Sequence, residues 1–431
     1  MTRGRLAATT GFGVAAFACA IAAVTAEKAP EPAAYQWDLP KGFPRPRVPA
    51  ANPMSGVKVE LGRYLFYDKR MSGNGTQACA TCHRQELAFT DGKPLAEGAT
   101  GQIHPRSAMS LVNVAYSTSL TWSNPGLHAL EEQALTPMFG RHPVELGLSG
   151  RADDFLERLR SDAVYWTLLP AAFPGLRDPF TIPNVTKAVA AFERTIISAR
   201  SPYDRYRYDG DEHAITDSAK RGEVLFFTDR TACFRCHGGF NFSDATGFDG
   251  GNSQAVFHNT GLYNLPGLLT YPPPNVGIYA FTKRPADAGK FKAPTLRNVG
   301  LTAPYMHDGS IPTLEGVLDH YAAGGRTIAD GAYAGAGHDN PNKDSRIKGF
   351  RLTPRNREDL LAFLRSLTDE ELTRDPRFSN PWGEMSLPFS GRDPLDAQSR
   401  HAANPAYRLP CGVTKGNCYA FARSQTATRA Q

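Results

Sequence analysis

Two short stretches carry most of the chemistry this 431-residue chain can do: CATCH at residues 79–83 and CFRCH at residues 233–237. Two thiols three positions apart can form two thioether bonds to one heme. The adjacent imidazole is then placed under the iron, which makes Cys-x-x-Cys-His a c-type heme site. A redox dithiol would not need the histidine. A zinc site would need four ligands in one cluster, and these motifs lie about 150 residues apart. Cys79 and Cys82 with His83 are therefore expected to hold one heme, and Cys233 and Cys236 with His237 a second. A wire fills the sixth position of both irons; a peroxide-activating centre leaves one open beneath acid and base groups.

The elements that must position these motifs read as helices. Ser55 can cap a helix running to about Tyr67, with Val59, Leu61, Leu65 and Phe66 as its apolar positions. Residues 128–139 and 152–168 read as helical. Asn184 opens a further helix, with Val185, Val189, Phe192 and Ile196 at helical spacing, which Ser201-Pro202 ends. A new unit starts near Asp217. Its SAKRGEVLFF mirrors the earlier VKVELGRYLFY: a short helix ending in aromatic residues, a turn, then Cys-x-x-Cys-His. Thr313 caps LEGVLDHY, and Thr353 caps a helix with Pro354 at its first position. No region is strand-rich. The expected fold is mainly α: two cytochrome-c-like heme domains with long ordered loops, in keeping with 40 Gly and 33 Pro.

Length points to more than one core. The expected organisation is a signal peptide (1–26), an extended Pro-rich lead-in (27–54), an N-terminal heme domain (55–212), a C-terminal heme domain (213–370) and an irregular extension (371–431). The leader has Arg3 and Arg5 before an apolar run and small residues at Val24-Thr25-Ala26, the pattern of export to the periplasm. The formal net charge is +6, of which two units leave with Arg3 and Arg5. The remaining basic residues are scattered, which argues against nucleic acid as a partner. No later segment is apolar enough to span a membrane. Of the seven cysteines, Cys19 leaves with the leader. Cys411 and Cys418 can close a short disulfide loop in an oxidising compartment.

The blocks VELGRYLFYDKRMSGNGTQACATCHRQELAFTDG, SLVNVAY, LEEQALTPMF with HPVELG, and FKAPTLRNVGLTAPYMHDGSIPTLEGVLDHYAAGG resemble the bacterial di-heme cytochrome c peroxidase/MauG superfamily over roughly residues 53–370. The lead-in YQWDLPKGFPRPRVPAANPMS further resembles the MbnH-like branch, associated with oxidising tryptophan on a partner protein. The resemblance implies that Gln133, Pro137 and Glu145 flank the open side of the first heme, with Glu145 as acid and base. It places the sixth ligand of the second heme at Tyr321, where peroxidases carry Met and MauG-like members Tyr. Trp122 matches the tryptophan between the hemes. Asn113, Thr302 and Pro304 match a calcium site, the latter two through backbone carbonyls. His307 matches a structural or heme-pocket histidine; His104 lies within one residue of where some peroxidases carry a reversible distal histidine on a loop, but reads first as a surface residue.

The expected function is a periplasmic di-heme oxidase that uses hydrogen peroxide to reach a high-valent di-heme state and oxidise an aromatic residue, tryptophan by resemblance, on an exported partner protein. The alternative is a peroxidase that reduces peroxide with electrons from a small redox protein. A non-enzymatic electron carrier is a third reading, disfavoured by Glu145.

Overall fold

Helix α1 (Gly56–Tyr67) begins where the Ser55 hydroxyl accepts from Lys58 N–H at 3.3 Å, which satisfies one of the donors a helix start leaves open. It packs against α2 (Ile182–Arg194), whose inward face is Val185, Val189 and Phe192. Further along, α3 (Asp217–Phe226) packs against α5 (Pro354–Ser366). Between them in sequence, α4 (Leu314–Ala322), capped by Thr313, buries Leu314 and Leu318. The computed structural model describes Met1 and residues 35–251, 254–267 and 269–383, which belong to one compact unit.

The two helix pairs cross in the same way. A Cβ on Gly62 of α1 would collide with the Ala188 carbonyl of α2 and lie 2.8 Å from Phe192 Cβ. One on Gly222 of α3 would collide with the Asp359 carbonyl of α5 and lie 2.8 Å from Phe363 Cβ. Four residues on, Phe66 meets Phe192 at 5.2 Å, and Phe226 meets Phe363 at 5.1 Å. Phe66 also touches Phe89 at 6.2 Å, and Phe226 touches Phe242 at 6.1 Å. Glycine inside a helix is unfavourable by about 1 kcal/mol relative to alanine, so its presence at both crossings reflects the approach it permits. Gly222→Ala is expected to destabilise the protein by about 1–3 kcal/mol through overpacking. Gly56→Ala, where the added methyl meets open space, should not. Chemical denaturation of both variants checks this.

Apolar clusters follow the pairs. One gathers α1, α2 and the helices Ala152–Arg160 and Ala163–Ala172; another gathers α3, α4 and α5. Among the described residues, strands are limited to two antiparallel ladders: β1 (Phe257–His258) with β2 (Phe291–Lys292), and β3 (Thr327–Ile328) with β4 (Gly335–Ala336).

Several sequence expectations shift. The helix expected at 128–139 is two short pieces, Leu130–Gln133 and Leu135–Phe139. That at 152–168 divides because Asp162 accepts from Val164 N–H and starts a second helix, which runs on to Ala172. Thr181, not Asn184, caps α2, and α2 ends at Arg194, well before Ser201. The first residues of the expected irregular extension are ordered. Leu372 and Phe378 pack with Phe66, Phe89 and Phe192, and Trp382 lies 4.9 Å from Tyr64. This strap, residues 372–382, packs back onto the first helix pair. The proposed leader and the Cys411–Cys418 loop lie outside the described residues. No helix among the described residues is long and apolar enough to cross a membrane.

Candidate di-heme site

Cys79–Cys82 form one helical turn, and His83 ends it. Ala88 and Phe89 both adopt positive φ (51° and 60°), so the chain doubles back and Phe89 O meets His83 Nδ1 at 2.9 Å. The second motif repeats the device: Phe242, at φ 48°, brings its carbonyl 3.0 Å from His237 Nδ1. A carbonyl only accepts, so Nδ1 donates and Nε2 is the nitrogen left to take a metal. Burial lowers the pKa of both imidazoles, which favours the neutral, ligating form.

All four motif cysteines are free thiols. Burial pushes Cys82 and Cys233 up to about 11, and Cys79 higher still. Reactive dithiols and thiolate metal sites require the opposite shift. The shifts at Cys79, Cys82 and Cys233 run against a reactive dithiol.

A narrow cleft of about 80 Å³ opens over the first motif. Cys79, Cys82 and His83 share it with Gln133, Pro137 and Glu145, so the residues expected around the first heme do converge. Glu145 is fixed by its backbone: Ala99 N–H donates to Glu145 O at 2.7 Å, and Leu146 N–H to Pro137 O at 2.8 Å. Its carboxyl keeps a third of its surface, directed to the cleft, and burial raises its pKa to about 7. His104 belongs here too, with Nε2 3.9 Å from Glu145 Oε1. That corrects its reading as a surface histidine; the 96–104 segment folds over the cleft because His104 N–H bonds Ala96 O and Gly98 N–H bonds Gln102 O.

Sequence reasoning missed Glu193. It follows Val189 by one turn on α2, is 5% exposed, lines the same cleft and has Oε2 without a partner. Burial raises its pKa to about 8. The signal was available: the apolar spacing that places Val189 inward places residue 193 inward as well.

Near the second motif, Tyr321 stands on the last turn of α4. Burial first, then the nearby Cys236, Cys233 and Tyr271, raise its pKa. Trp122 donates Nε1–H to Ser107 O at 2.9 Å and packs on the cluster of Leu262, Tyr263, Tyr271 and Phe291. His307, 5% exposed, stacks on Phe291 at 3.7 Å, and its Nε2 lacks a partner. Lys292 is equally buried and has one hydrogen bond, to Ser119 O at 2.6 Å; burial lowers its pKa to about 7. Arg194 Nη1 and Arg326 Nε are buried without partners. Buried cations with unused donors suit the two propionate carboxylates a heme carries.

Cys236, Asp244 and His258 are close enough to suggest a metal site. His258, however, already bonds Asp244 at 2.6 Å through Nε2 and Asp344 at 2.8 Å through Nδ1. Burial opposes its charge, but Asp244 and Cys236 raise its pKa to about 10. Both of its ring nitrogens are already engaged by carboxylates, which leaves neither free for a metal.

Asn113 is fully buried. Its Oδ1 accepts from Ser198 N–H at 2.8 Å, and its Nδ2 donates to Asn241 Oδ1 at 3.1 Å and Ser198 O at 3.2 Å. Thr302 and Pro304 follow the turn Val299–Leu301, which Asn113 reaches through Ser198 and Asn298. The Asn113 oxygen accepts one hydrogen bond, from Ser198 N–H, and keeps a second lone pair.

Over 333 residues the chain is 36% identical to "Methylamine utilization protein MauG" of Methylorubrum extorquens, covering 77% of this chain and 83% of that protein. The chain belongs to the di-heme cytochrome c peroxidase/MauG family. The family model described as "Di-haem cytochrome c peroxidase" matches residues 57–213, and "RoxA-like, cytochrome c-like" matches 290–323. "Cytochrome-c peroxidase IdrP1" of Denitromonas iodatirespirans is 33% identical over 371 residues (79% of this chain, 89% of that one). The crystal structure of a MauG-like protein associated with microbial copper homeostasis superposes with a TM-score of 0.79 at 46% identity, covering 81% of this chain and all of that one. This family consists of heme-dependent oxidoreductases that use peroxide, and it implies heme c as the cofactor.

Proposed function

We propose that this family member is a periplasmic di-heme oxidase that uses hydrogen peroxide to oxidise an aromatic residue, tryptophan first, on an exported partner protein. The observation that carries the reading is Tyr321, buried on α4 and close enough to Cys236 and Cys233 to feel their charge, at the position where the resemblance puts methionine in a peroxidase. A phenolate favours oxidised iron far more than a thioether does. The leader proposed from sequence supports export. The 46% identical structure is that of a protein associated with copper homeostasis, which supports seeking the partner among exported copper-handling proteins.

Two modules share the work. Cys79, Cys82 and His83 hold the first heme; Cys233, Cys236, His237 and Tyr321 hold the second. The doubled glycine crossing and the doubled His–Phe carbonyl bond support treating them as cytochrome-c-like domains. Bound heme supplies the iron that takes electrons from the protein and gives them to peroxide. The chain's own residues do the rest. Pro137 offers no ligating atom, which keeps the first site open. Gln133 orients peroxide, and Glu145 moves a proton from its near oxygen to the leaving one. Trp122 couples the two sites. In this reading Asn113 would offer its side-chain oxygen to calcium, with Thr302 and Pro304 adding carbonyls.

A pyridine hemochrome assay should find two hemes per chain, and one after the double change Cys79→Ala and Cys82→Ala. Mass spectrometry of exported partner candidates, before and after peroxide with this enzyme, should find oxygen added to an aromatic residue. The relatives named cytochrome-c peroxidase support the alternative. Rapid oxidation of a small reduced cytochrome with unmodified partners would establish it instead.

A further inference from the structure

We infer that Tyr271, Tyr263 and Tyr333 form an electron route from the second site to the surface, and that Tyr333 is where an exposed aromatic side chain of the partner protein is oxidised. This rests on the reading above. It adds the exit point and the residues between.

The route is a ladder of rings. Tyr271, 2% exposed, belongs to a cluster that α4 packs against through Val317, one turn before Tyr321. Its ring centre is 5.5 Å from that of Tyr263, which is 5.8 Å from that of Tyr333. Tyr333 is half exposed, on the turn between β3 and β4. Trp122 packs on the same cluster, so the first site reaches the same ladder.

The surface end is held firmly. Gly335 lies against the Asn264 backbone so closely that a Cβ there would collide with Asn264 O. Asn264 Nδ2 donates to Ala336 O at 3.0 Å, and Asn340 Nδ2 to Tyr263 O at 2.8 Å. The β3–β4 turn therefore holds Tyr333 against Tyr263.

Proton handling is built in. Tyr263 donates its hydroxyl proton to Asp308 Oδ2 at 2.6 Å. Burial opposes ionisation of Asp308, but His307, Tyr263 and Ser310 lower its pKa and keep it a carboxylate. The Arg326 guanidinium, 4.8 Å above the Tyr263 ring, disfavours a cationic ring. Tyr263 must shed its proton as it loses an electron, and Asp308 is placed to receive and return it.

The electrons balance. Peroxide takes up two electrons and two protons and leaves as two waters, oxidising the heme pair. Each oxidising equivalent draws one electron along Tyr271 and Tyr263 from Tyr333, whose phenolic proton goes to solvent. Tyr333 then regains an electron and a proton from the partner's ring. Two such transfers return the heme pair to its starting state.

The test uses the full diheme protein without a partner, one equivalent of hydrogen peroxide and a nitroso spin trap, with adducts mapped by peptide mass spectrometry. The heme absorption spectrum is recorded in parallel. The expected adduct is on Tyr333. It should disappear in Tyr333→Phe and also in Tyr263→Phe, where the surface tyrosine is intact. An adduct on Tyr333 that survives Tyr263→Phe, or labelling confined to other residues while the heme spectrum shows oxidation, overturns the route. A heme spectrum unmoved by peroxide overturns both the route and the reading beneath it.

Discussion

Glu145→Gln slows the reaction with peroxide by about 10²–10⁴-fold, the range typical of a lost acid–base group, while both hemes stay bound. Glutamine keeps the shape of the side chain but cannot accept the proton that leaves the near peroxide oxygen. Burial raises the Glu145 pKa to about 7, so the group stands between its two forms at neutral pH. The base form exists above that value and is lost below it. The second-order rate constant should therefore rise with pH through about 7 and level off, and the Gln variant should be slow and flat. Stopped-flow absorbance at a series of pH values measures both. His104 is the rival base, 3.9 Å away, and burial lowers its pKa toward the neutral form. A pH step that persists in Glu145→Gln would transfer the role to His104 if it falls below the ordinary imidazole range, and to Glu193 if it lies near 8.

What the sequence showed well was local chemistry. Cys-x-x-Cys-His is complete within five residues, and the caps Ser55, Thr313 and Thr353 each act within three residues of themselves. The resemblance supplied Gln133, Pro137 and Glu145, and all three line one cleft with His83. What stayed hidden depends on segments far apart in the chain. The cleft joins residues near 80, 100, 140 and 190, so His104 looked like a surface residue until the loop after Pro94 closed over it. Glu193 hid because a single acid at the end of an apolar face reads as a solvated helix end. The repeat was visible in the aromatic helix ends. Its physical cause, the glycine crossings at Gly62 and Gly222, needs the partner helix to be seen. The break at Asp162 was missed because the apolar spacing continues across it while the Asp side chain restarts the helix.

Replacing Tyr321 should change what the enzyme does rather than whether it folds. If its phenolate ligates the second iron, resonance Raman and EPR of the ferric protein show phenolate opposite His237. Burial raises the Tyr321 pKa, so without a metal the group is a neutral phenol; only a cation at the oxygen can remove its proton at neutral pH. A ligated Tyr321 is then distinguishable from a packed one by that deprotonation alone. Tyr321→His keeps a six-coordinate second heme, because imidazole can take the position, but it stabilises the oxidised pair less and abolishes partner oxidation. Tyr321→Met raises the reduction potential of the second heme and moves the protein toward peroxidase behaviour, oxidising a small reduced cytochrome. Met306 is the native thioether that competes for the assignment, but it packs with Trp122 and Tyr305 against the Tyr263–Tyr271 cluster. A tyrosine that is only packed leaves the potential and the ligand spectrum unchanged in both variants. Spectra of the unmutated protein with methionine or histidine opposite His237 would return the enzyme to the peroxidases and leave the second heme as a donor of ordinary electrons.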